Sequence, residues 1–352
     1  METAYRVFIL LVLLSGLLIS AGIAFRNGSP NGTDFYYHLK YAEKYANGEM
    51  ALFDQQLMEN NKGPYPPLFH LLLAIPVFLG FGIQFGALLQ AILYPLVLLS
   101  TAFLVFKLGG LKPAAFTAVV LLSAVAFFDR GGQVTPQSVD VIFMPIAAFA
   151  FFKRKELLFL VSTAVMAYSH APYSFLLLAP FLLYAFWKNF NKNAVFKAVA
   201  VSLPIALLVL WFLPSMLSAA GGVNTTQEQL IYHDPFYLLA FIGPPLFVVF
   251  LISVFYFFKR KEAAVPDEEN GLKQFGLLWL ACLTPLLLVF PDRFASYAAQ
   301  PIAVFSGLVL GRIIAKPWKI LFVLSVLLLL GWLYNTIPYW NLLLEGRLVP
   351  VP

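Results

Sequence analysis

Acidic and histidine side chains recur near the ends of the apolar stretches of this sequence. Asp34 and His38 stand four residues apart, in a stretch that predicts a helix from Asp34 to about Asn47 with Gly48 as its stop. A carboxylate one turn from an imidazole can serve as a general base, and a place near the helix N-terminus favours the ionised carboxylate. The same pattern also fits an acid that stabilises the helix start beside an interfacial histidine.

A second acidic group follows the third apolar run. The segment from Asp129 to Asp140 holds two acids, Arg130 and several hydrogen-bonding side chains in a short predicted turn. Asp140 is predicted to lie just inside the next span, where an ionisable side chain is costly and marks a function by default. An Asp–Arg pair that closes a tight turn would give the same pattern.

Arg293 lies beside aromatic residues at a predicted membrane boundary. A guanidinium group there can hold a phosphate through two hydrogen bonds. The alternative is an arginine that snorkels to the interface and pairs with Asp292.

Three further side chains are candidates for a donor or acceptor site. They are Tyr65 in a proline-rich approach to a short apolar helix, His170 at a span end, and His233 in an outer loop. The alternatives are an interfacial anchor for His170, which is the more common role of a lone histidine at a span end, and a solvated loop for His233. The sequence has no Cys/His zinc spacing, Walker loop, Rossmann glycine pattern or nucleophile elbow, so an intramembrane metalloprotease or an ATP-driven pump is not expected.

The composition predicts an all-α, polytopic membrane protein. The chain is 61% hydrophobic and 11% charged, with a mean hydropathy of +0.83. About 11 spans are predicted, several of them shorter than the about 20 residues needed to cross the hydrocarbon, at 7–25, 84–106, 113–128, 137–152, 157–169, 172–187, 195–213, 236–258, 274–290, 297–314 and 318–337. The net charge of +6 falls mainly in short loops between these spans, so nucleic acid is not an expected partner.

The basic residues predict the orientation. With the N-terminus in the cytoplasm, most Lys and Arg fall in cytoplasmic segments, including both Lys-Arg-Lys runs at 153–155 and 259–261. The C-terminus is then extracytoplasmic. The lone cysteine, Cys282, cannot form a disulfide within the chain.

One transmembrane domain, residues 1–352, is predicted, with a retained first span and no soluble domain. Residues 26–83 form an unusually long first extracytoplasmic loop, and long loops in compact proteins are usually functional. Its run from Leu68 to Leu79 is too short to cross the membrane, so we expect an interfacial or re-entrant helix. Residues 262–273 are predicted to form a solvated cytoplasmic loop.

The first loop and the turn after span three contain short segments that resemble those of a known protein family. Gly32-Thr-Asp34-Phe-Tyr-Tyr-His38-Leu-Lys40, the Tyr65-Pro-Pro-Leu-Phe-His70 segment and the Asp129 loop make the chain similar to the GT-C superfamily of membrane glycosyltransferases. Within that superfamily it resembles archaeal oligosaccharyltransferase catalytic subunits and protein mannosyltransferases. The resemblance covers mainly residues 1–180, with a weaker echo at 290–312. The chain lacks a Trp-Trp-Asp-Tyr-Gly motif, which argues against a complete oligosaccharyltransferase.

The resemblance implies an inverting transfer of a sugar from a polyprenyl-phosphate donor, such as a dolichyl phosphate, to a glycolipid or protein acceptor. It makes Asp34 the catalytic carboxylate, Asp129 the acid of the second loop and Arg293 the holder of the lipid phosphate. A divalent metal such as Mg or Mn, held by Asp34 and Asp129, is compatible with their hard oxygen ligands. Two other functions stay open: a transporter or flippase of a lipid-linked sugar, and an inactive assembly subunit.

Overall fold

The computed structural model describes residues 2–26, 33–51, 54, 66–124, 134–170, 173–221, 244–259, 266–289 and 291–314, with 319, 322, 325 and 326. Apart from turns, this part of the chain is helical and contains no strand. In chain order its helices are α1 (Glu2–Arg26), α2 (Thr33–Ala46), α3 (Pro67–Phe78), α4 (Gly82–Gly109), α5 (Leu111–Leu122), α6 (Pro136–Phe152), α7 (Glu156–His170), α8 (Tyr173–Lys188), α9 (Lys192–Gly221), α10 (Pro244–Lys259), α11 (Asp267–Val289) and α12 (Pro291–Ile313). The all-α prediction is confirmed.

Length and composition support a membrane location. Among the described residues, three stretches of helix are long and apolar enough to cross a bilayer: Glu2–Gly22, Gln84–Gly109 and Phe294–Ile313. Shorter apolar helices accompany them, including α5, α6 and α10. On α1, Leu10, Leu14 and Leu18 share one face and are exposed, as expected of side chains that contact lipid. The last predicted span, 318–337, lies almost wholly outside the described residues.

The helices of the first loop begin and end where their turn residues predict. Gly48 ends α2 in a left-handed conformation with φ of 80°, which a glycine adopts without steric cost. Pro67 occupies the first turn of α3, where its missing N–H is not needed. These two helices, α2 and α3, position the candidate site described below.

The chain divides into two compact units. Unit 1 comprises Met1–Ile19, Tyr94–Gly131 and Ile231–Pro352, and unit 2 comprises Ser20–Leu93 and Gly132–Leu230. The prediction of one transmembrane domain stays a prediction. In unit 2, α3 packs on α2 and α7, and α7 also packs on α6, α8 and α9.

Helix α12 is the buried centre of unit 1, packed against α5, α10 and α11. Its closest approach to α5 uses Gly307 and Gly311, one turn apart, which lie against Thr117 and Pro113. Small residues at this spacing let two helix backbones approach closely inside a membrane.

Replacing Gly307 with alanine is therefore expected to destabilise unit 1. The new Cβ would lie 2.0 Å from the Thr117 hydroxyl oxygen and 2.7 Å from its backbone nitrogen, so α5 and α12 must move apart. Overpacking of this kind costs about 1–3 kcal/mol. The measurement is the apparent Tm of purified protein in detergent. Gly22→Ala is the matched control, because nothing lies within 4 Å of its added Cβ; equal Tm values for the two variants would contradict the packing argument.

The prediction of a solvated loop at 262–273 is wrong for the second half of this segment, which is helical. Helix α11 begins at Asp267, with three acidic residues in its first turn that favour the helix start. Glu269 is fully buried and accepts hydrogen bonds from the Arg312 guanidinium, with Nε–Oε1 and Nε–Oε2 distances of 2.9 and 3.1 Å. The buried Lys273 ammonium lies 3.4 Å from the same carboxylate. Two buried ionisable residues, Glu269 and Lys273, thus lie in a segment whose composition predicts a solvated loop.

Candidate functional site

A pair of buried histidines joins α2 to α3 in unit 2. His38 is 3% exposed and His70 is fully buried, and their Nδ1 and Nε2 atoms lie 2.9 Å apart. Apolar side chains on both helices close around them. This core consists of Phe35, Leu39, Ala42, Phe69, Leu73, Ala74, Leu93 and Val134. The burial follows from the spacing of α2, whose positions 35, 38, 39 and 42 lie on one helical face.

The hydrogen bonds assign a tautomer to each of these two imidazoles. His70 Nδ1 lies 3.2 Å from the Pro66 carbonyl oxygen, which can only accept, so this nitrogen carries the proton. In the neutral ring His70 Nε2 is then an acceptor, and His38 Nδ1 donates to it. Neutral His38 therefore has no proton on Nε2.

Aromatic contacts hold the His70 ring in this orientation. The Tyr41 ring stacks on it with centroids 4.6 Å apart and an interplanar angle of 29°. The Tyr37 hydroxyl donates to the Tyr41 hydroxyl over 2.9 Å. Phe69 meets His38 edge-on at 5.4 Å. The hydrogen-bonded chain from Pro66 to His38 is therefore built into the packing of both helices.

Both imidazoles are held neutral. Burial lowers the pKa of His70 to about 3, although its bond to the Pro66 carbonyl acts in the opposite direction. Burial also lowers the pKa of His38 well below 6.5, and the charges of His70 and His170 add to this effect. At neutral pH the pair is uncharged.

Acid is expected to destabilise the protein through these two histidines. Their folded-state pKa values are lower than the ordinary 6.5, so the unfolded chain takes up protons first as the pH falls. Stability is complete above pH 6.5 and declines toward pH 3, by up to about 1.4 kcal/mol per pH unit for each histidine. The apparent Tm between pH 7 and about pH 4.5, above most carboxyl pKa values, measures this decline. His70→Gln should flatten the curve; an unchanged curve would contradict the assignment.

A second buried pair links α6 to α7. The Asp140 carboxylate is fully buried, and its Oδ2 accepts a hydrogen bond of 2.6 Å from His170 Nδ1. Its Oδ1 lies 3.0 Å from the Ser174 hydroxyl, whose single proton is also within reach of the Met166 and His170 carbonyl oxygens. Both carboxylate oxygens thus lie within hydrogen-bond distance of a donor side chain, as expected of a buried polar group.

The two pairs lie on helices that pack together, since α3 packs on α7. We call His38, His70, Asp140 and His170 the histidine cluster. It draws on four helices of unit 2, namely α2, α3, α6 and α7. The Ser169 hydroxyl beside it is buried and has no hydrogen-bond partner within the described part of the chain.

The sequence-predicted site residues have different outcomes. The structure pairs Asp140 with His170, and it pairs His38 with His70. Asp34 is the second residue of α2 and Arg293 is in the first turn of α12, but neither side chain is among the described ones. Tyr65, Asp129, Arg130 and His233 lie outside the described residues. The chemical roles of all these residues stay predictions.

Two residues of the site were not predicted. His70 lies in the Tyr65–His70 segment on which the family resemblance partly depends. Its place in the site depends on its hydrogen bond with His38 of α2, which is 32 residues away in the chain. Ser174 stands four residues after His170, a spacing that could have drawn attention to it. Neither carries a signal of its own, because serine and histidine are ordinary residues at helix ends.

The described residues offer no ready-made metal centre. Nowhere among them do three His, Cys, Asp or Glu side chains converge so as to hold an ion. Within the histidine cluster, both His70 nitrogens are engaged in hydrogen bonds. The predicted metal on Asp34 and Asp129 concerns side chains outside this set.

The structure resembles solved structures of membrane enzymes. ArnT from Cupriavidus metallidurans bound to undecaprenyl phosphate matches with a TM-score of 0.61 and 14% identity, over 99% of this chain and 66% of ArnT. The archaeal oligosaccharyltransferase AglB from Archaeoglobus fulgidus, in complex with an inhibitory peptide and a dolichol-phosphate, matches with 0.62 and 14% identity, over 94% of this chain and 55% of AglB. This chain has the GT-C fold.

The apo state of ArnT shares the GT-C fold at a TM-score of 0.55 and 15% identity, over 91% of this chain and 62% of ArnT. No protein-family model and no curated protein matches the sequence. The chain spans between about half and two thirds of the length of these GT-C structures. The resemblance predicted from the first loop is confirmed as a resemblance of fold.

Proposed function

We propose that this chain is a membrane glycosyltransferase that moves a sugar from a polyprenyl-phosphate donor to an acceptor at the extracytoplasmic face. The observation that carries the proposal is a fold shared with two proteins whose structures hold undecaprenyl phosphate or a dolichol-phosphate. The buried histidine cluster, on two helices of the first loop and on α6 and α7, supports it. Ionisable side chains are costly inside a membrane protein, so a buried cluster of them indicates a functional site and not a surface that contacts lipid.

The proposed reaction is a direct displacement. An acceptor hydroxyl attacks the anomeric carbon, the bond from that carbon to the phosphate oxygen breaks, and polyprenyl phosphate leaves. Asp34, at the start of α2, takes the proton from the attacking hydroxyl. A single displacement inverts the configuration of the anomeric carbon.

Charge develops on the leaving phosphate, and cationic side chains offset it. Arg293 is proposed to hold the lipid phosphate, supported by its place in the first turn of α12, where backbone N–H groups also favour an anion. Arg130 is a second candidate. A divalent cation on Asp34 and Asp129 would supply further positive charge at the donor when bound.

The partners follow from this chemistry. The donor is a lipid-linked sugar that reaches the protein within the bilayer, so no nucleotide site is needed. The acceptor is a glycolipid or a protein presented on the outer side. The proposed orientation places the N-terminus in the cytoplasm and the C-terminus outside the cell.

The test is a donor screen with purified protein in liposomes. A polyprenyl phosphate carrying a radiolabelled sugar should lose its label to an added glycolipid or peptide acceptor, with one free polyprenyl phosphate formed per transfer. Nucleotide sugars should give no product in the same preparation. Label that changes leaflet with its phosphate bond intact would indicate a flippase and overturn the proposal.

A further inference from the structure

Two turns of unit 2, which join α6 to α7 and α8 to α9, carry a dense group of basic residues. The sequence from Phe149 to Lys197 contains a single acid, Glu156. Helix α7 is 15 residues long, so the turn before it lies about 20 Å from His170 at its other end. The basic residues of both turns and of the start of α9 form what we call the basic turn surface: Lys153, Arg154, Lys155, Lys188, Lys192 and Lys197.

Packing joins the two turns. The Asn191 side-chain amide of one turn donates to the Phe151 carbonyl of the other over 3.1 Å. The Arg154 guanidinium lies 5.1 Å from the centroid of the Phe190 ring. That ring also contacts Phe151 and Phe152, with centroids 5.2 and 6.0 Å apart. The basic side chains of both turns therefore belong to one packed surface.

Arg154 occupies a position after a helix where glycine is the usual residue. Its φ is 52°, a left-handed conformation that is costly for a residue with a Cβ. The turn closes through a hydrogen bond of 2.8 Å from the Lys155 N–H to the Ala150 carbonyl, and glycine would form it without this cost. The turn itself therefore does not require arginine, and what arginine adds is a guanidinium group on the surface.

Exposed aromatic rings lie against the ammonium groups of the second turn. Lys188 Nζ is 3.9 Å from the centroid of the Trp187 ring, which is 60% exposed. Lys192 Nζ is 5.2 Å from the centroid of the Phe186 ring, which is 55% exposed. Phe186 also meets Phe196 of α9 edge-on at 5.8 Å. Cations beside exposed aromatic rings are typical of the level at which the headgroups of a bilayer meet its acyl chains.

An exposed apolar surface continues from these rings along α8 and α9. On α9, Phe196, Leu203 and Leu207 follow i, i+7, i+11 spacing and are all exposed. On α8, Leu183 lies one turn before Phe186 and is also exposed. A molecule whose charged end lies on the basic turn surface therefore finds an apolar surface for its other end.

We propose that the basic turn surface binds the headgroup of an anionic phospholipid, whose acyl chains lie along α8 and α9. The basic residues offset the charge of the phosphate, and the exposed rings and leucines contact the acyl chains. An acidic peptide or a free phosphate would engage the basic residues but would leave the rings in water. The site lies at the end of α7 opposite the histidine cluster, and the proposal does not depend on the proposed sugar transfer.

The test measures the binding of the first phospholipid to the full chain in detergent by native mass spectrometry. Phosphatidylglycerol and phosphatidylcholine with identical acyl chains are the two probes. We expect phosphatidylglycerol to bind at least about tenfold more tightly, because each basic residue near a phosphate contributes a factor of about five. Lys188→Gln with Lys192→Gln should weaken phosphatidylglycerol about 25-fold and leave phosphatidylcholine unchanged.

Lys107→Gln with Lys259→Gln is the matched control. Both lysines are exposed, end helices of unit 1 and lie over aromatic rings, as Lys188 and Lys192 do. The control removes the same number of charges away from the basic turn surface. It should leave the affinity for phosphatidylglycerol within about twofold of the wild type.

Arg154→Gly separates lipid binding from stability. Glycine adopts the left-handed turn without steric cost, so the apparent Tm in detergent without lipid should not fall. The affinity for phosphatidylglycerol should fall about fivefold with the loss of one cation. A variant that is as stable as the wild type and binds the lipid equally well would overturn the assignment of Arg154 to the site.

Three further outcomes would overturn the phospholipid site. The first is equal affinity of the wild type for the two phospholipids, and the second is an equal effect of the two double substitutions. The third is a soluble anion as the preferred ligand, shown by inorganic phosphate that displaces the lipid where sodium chloride of the same ionic strength does not, or by polyglutamate that binds more tightly than phosphatidylglycerol.

Discussion

Asp34→Asn should leave a folded protein that transfers sugar about 10²–10⁴-fold more slowly than the wild type. Asparagine has nearly the same shape as aspartate, but its amide cannot take up the proton of an attacking hydroxyl. Asp34 also stands in the first turn of α2, where the helix N-terminus favours an ionised carboxylate over an amide. The measurement is the initial rate of label transfer from a polyprenyl-phosphate donor in liposomes.

Glu43→Gln is the matched control for this variant. It makes the same change from carboxylate to amide on the same helix, at an exposed position in its last turn. We expect Glu43→Gln to keep wild-type activity. Full transfer by Asp34→Asn, with expression and Tm unchanged, would remove Asp34 from the chemistry and with it the enzyme as we describe it.

Asp140→Ala should cost about 1–3 kcal/mol of stability, since it removes the acceptor of buried hydrogen bonds from His170 and Ser174. His170 loses the acceptor of its 2.6 Å hydrogen bond, and the Ser174 hydroxyl loses the oxygen at 3.0 Å. The apparent Tm in detergent and the yield of monodisperse protein measure this loss.

An exposed ion pair in the same unit gives the comparison. Lys197 donates to Glu156 across α7 and α9, and their side chains are 58% and 45% exposed. Glu156→Ala should cost no more than about 1 kcal/mol, because water screens and replaces that contact. If both alanine variants had the same small effect on Tm, Asp140 would not be the buried anchor that the structure describes.

The helices of this protein were largely predictable from local patterns. Apolar run length predicts α1 and α4, and Thr33 with Gly48 predicts the extent of α2 to within about one residue. Turn prolines do the same for the start of α3. Each signal acts within a few residues of the element that it shapes, so one sequence is enough to read it. The resemblance to the GT-C superfamily also depended on short segments, in the first loop and in the turn after span three.

The buried polar contacts were not predictable in this way. Residues 262–273 look like a solvated loop because they are charged. Glu269 is nevertheless buried, and it accepts a hydrogen bond from an arginine 43 residues away in the chain. His70 likewise depends on His38, which lies 32 residues earlier in the chain. No local signal distinguishes a paired charge or a paired imidazole from a solvated one.

Residue type and helical spacing placed Asp34 and His38 on one face of a helix and identified Asp140 as an unusual acid. The partners of these side chains, and hence their protonation, depend on which helices pack together. Burial removes water as the competing hydrogen-bond partner, so a neighbour from a distant segment decides whether a group is charged, neutral, donor or acceptor. The hydrogen bond between His38 and His70 is a property of the packing of α2 on α3.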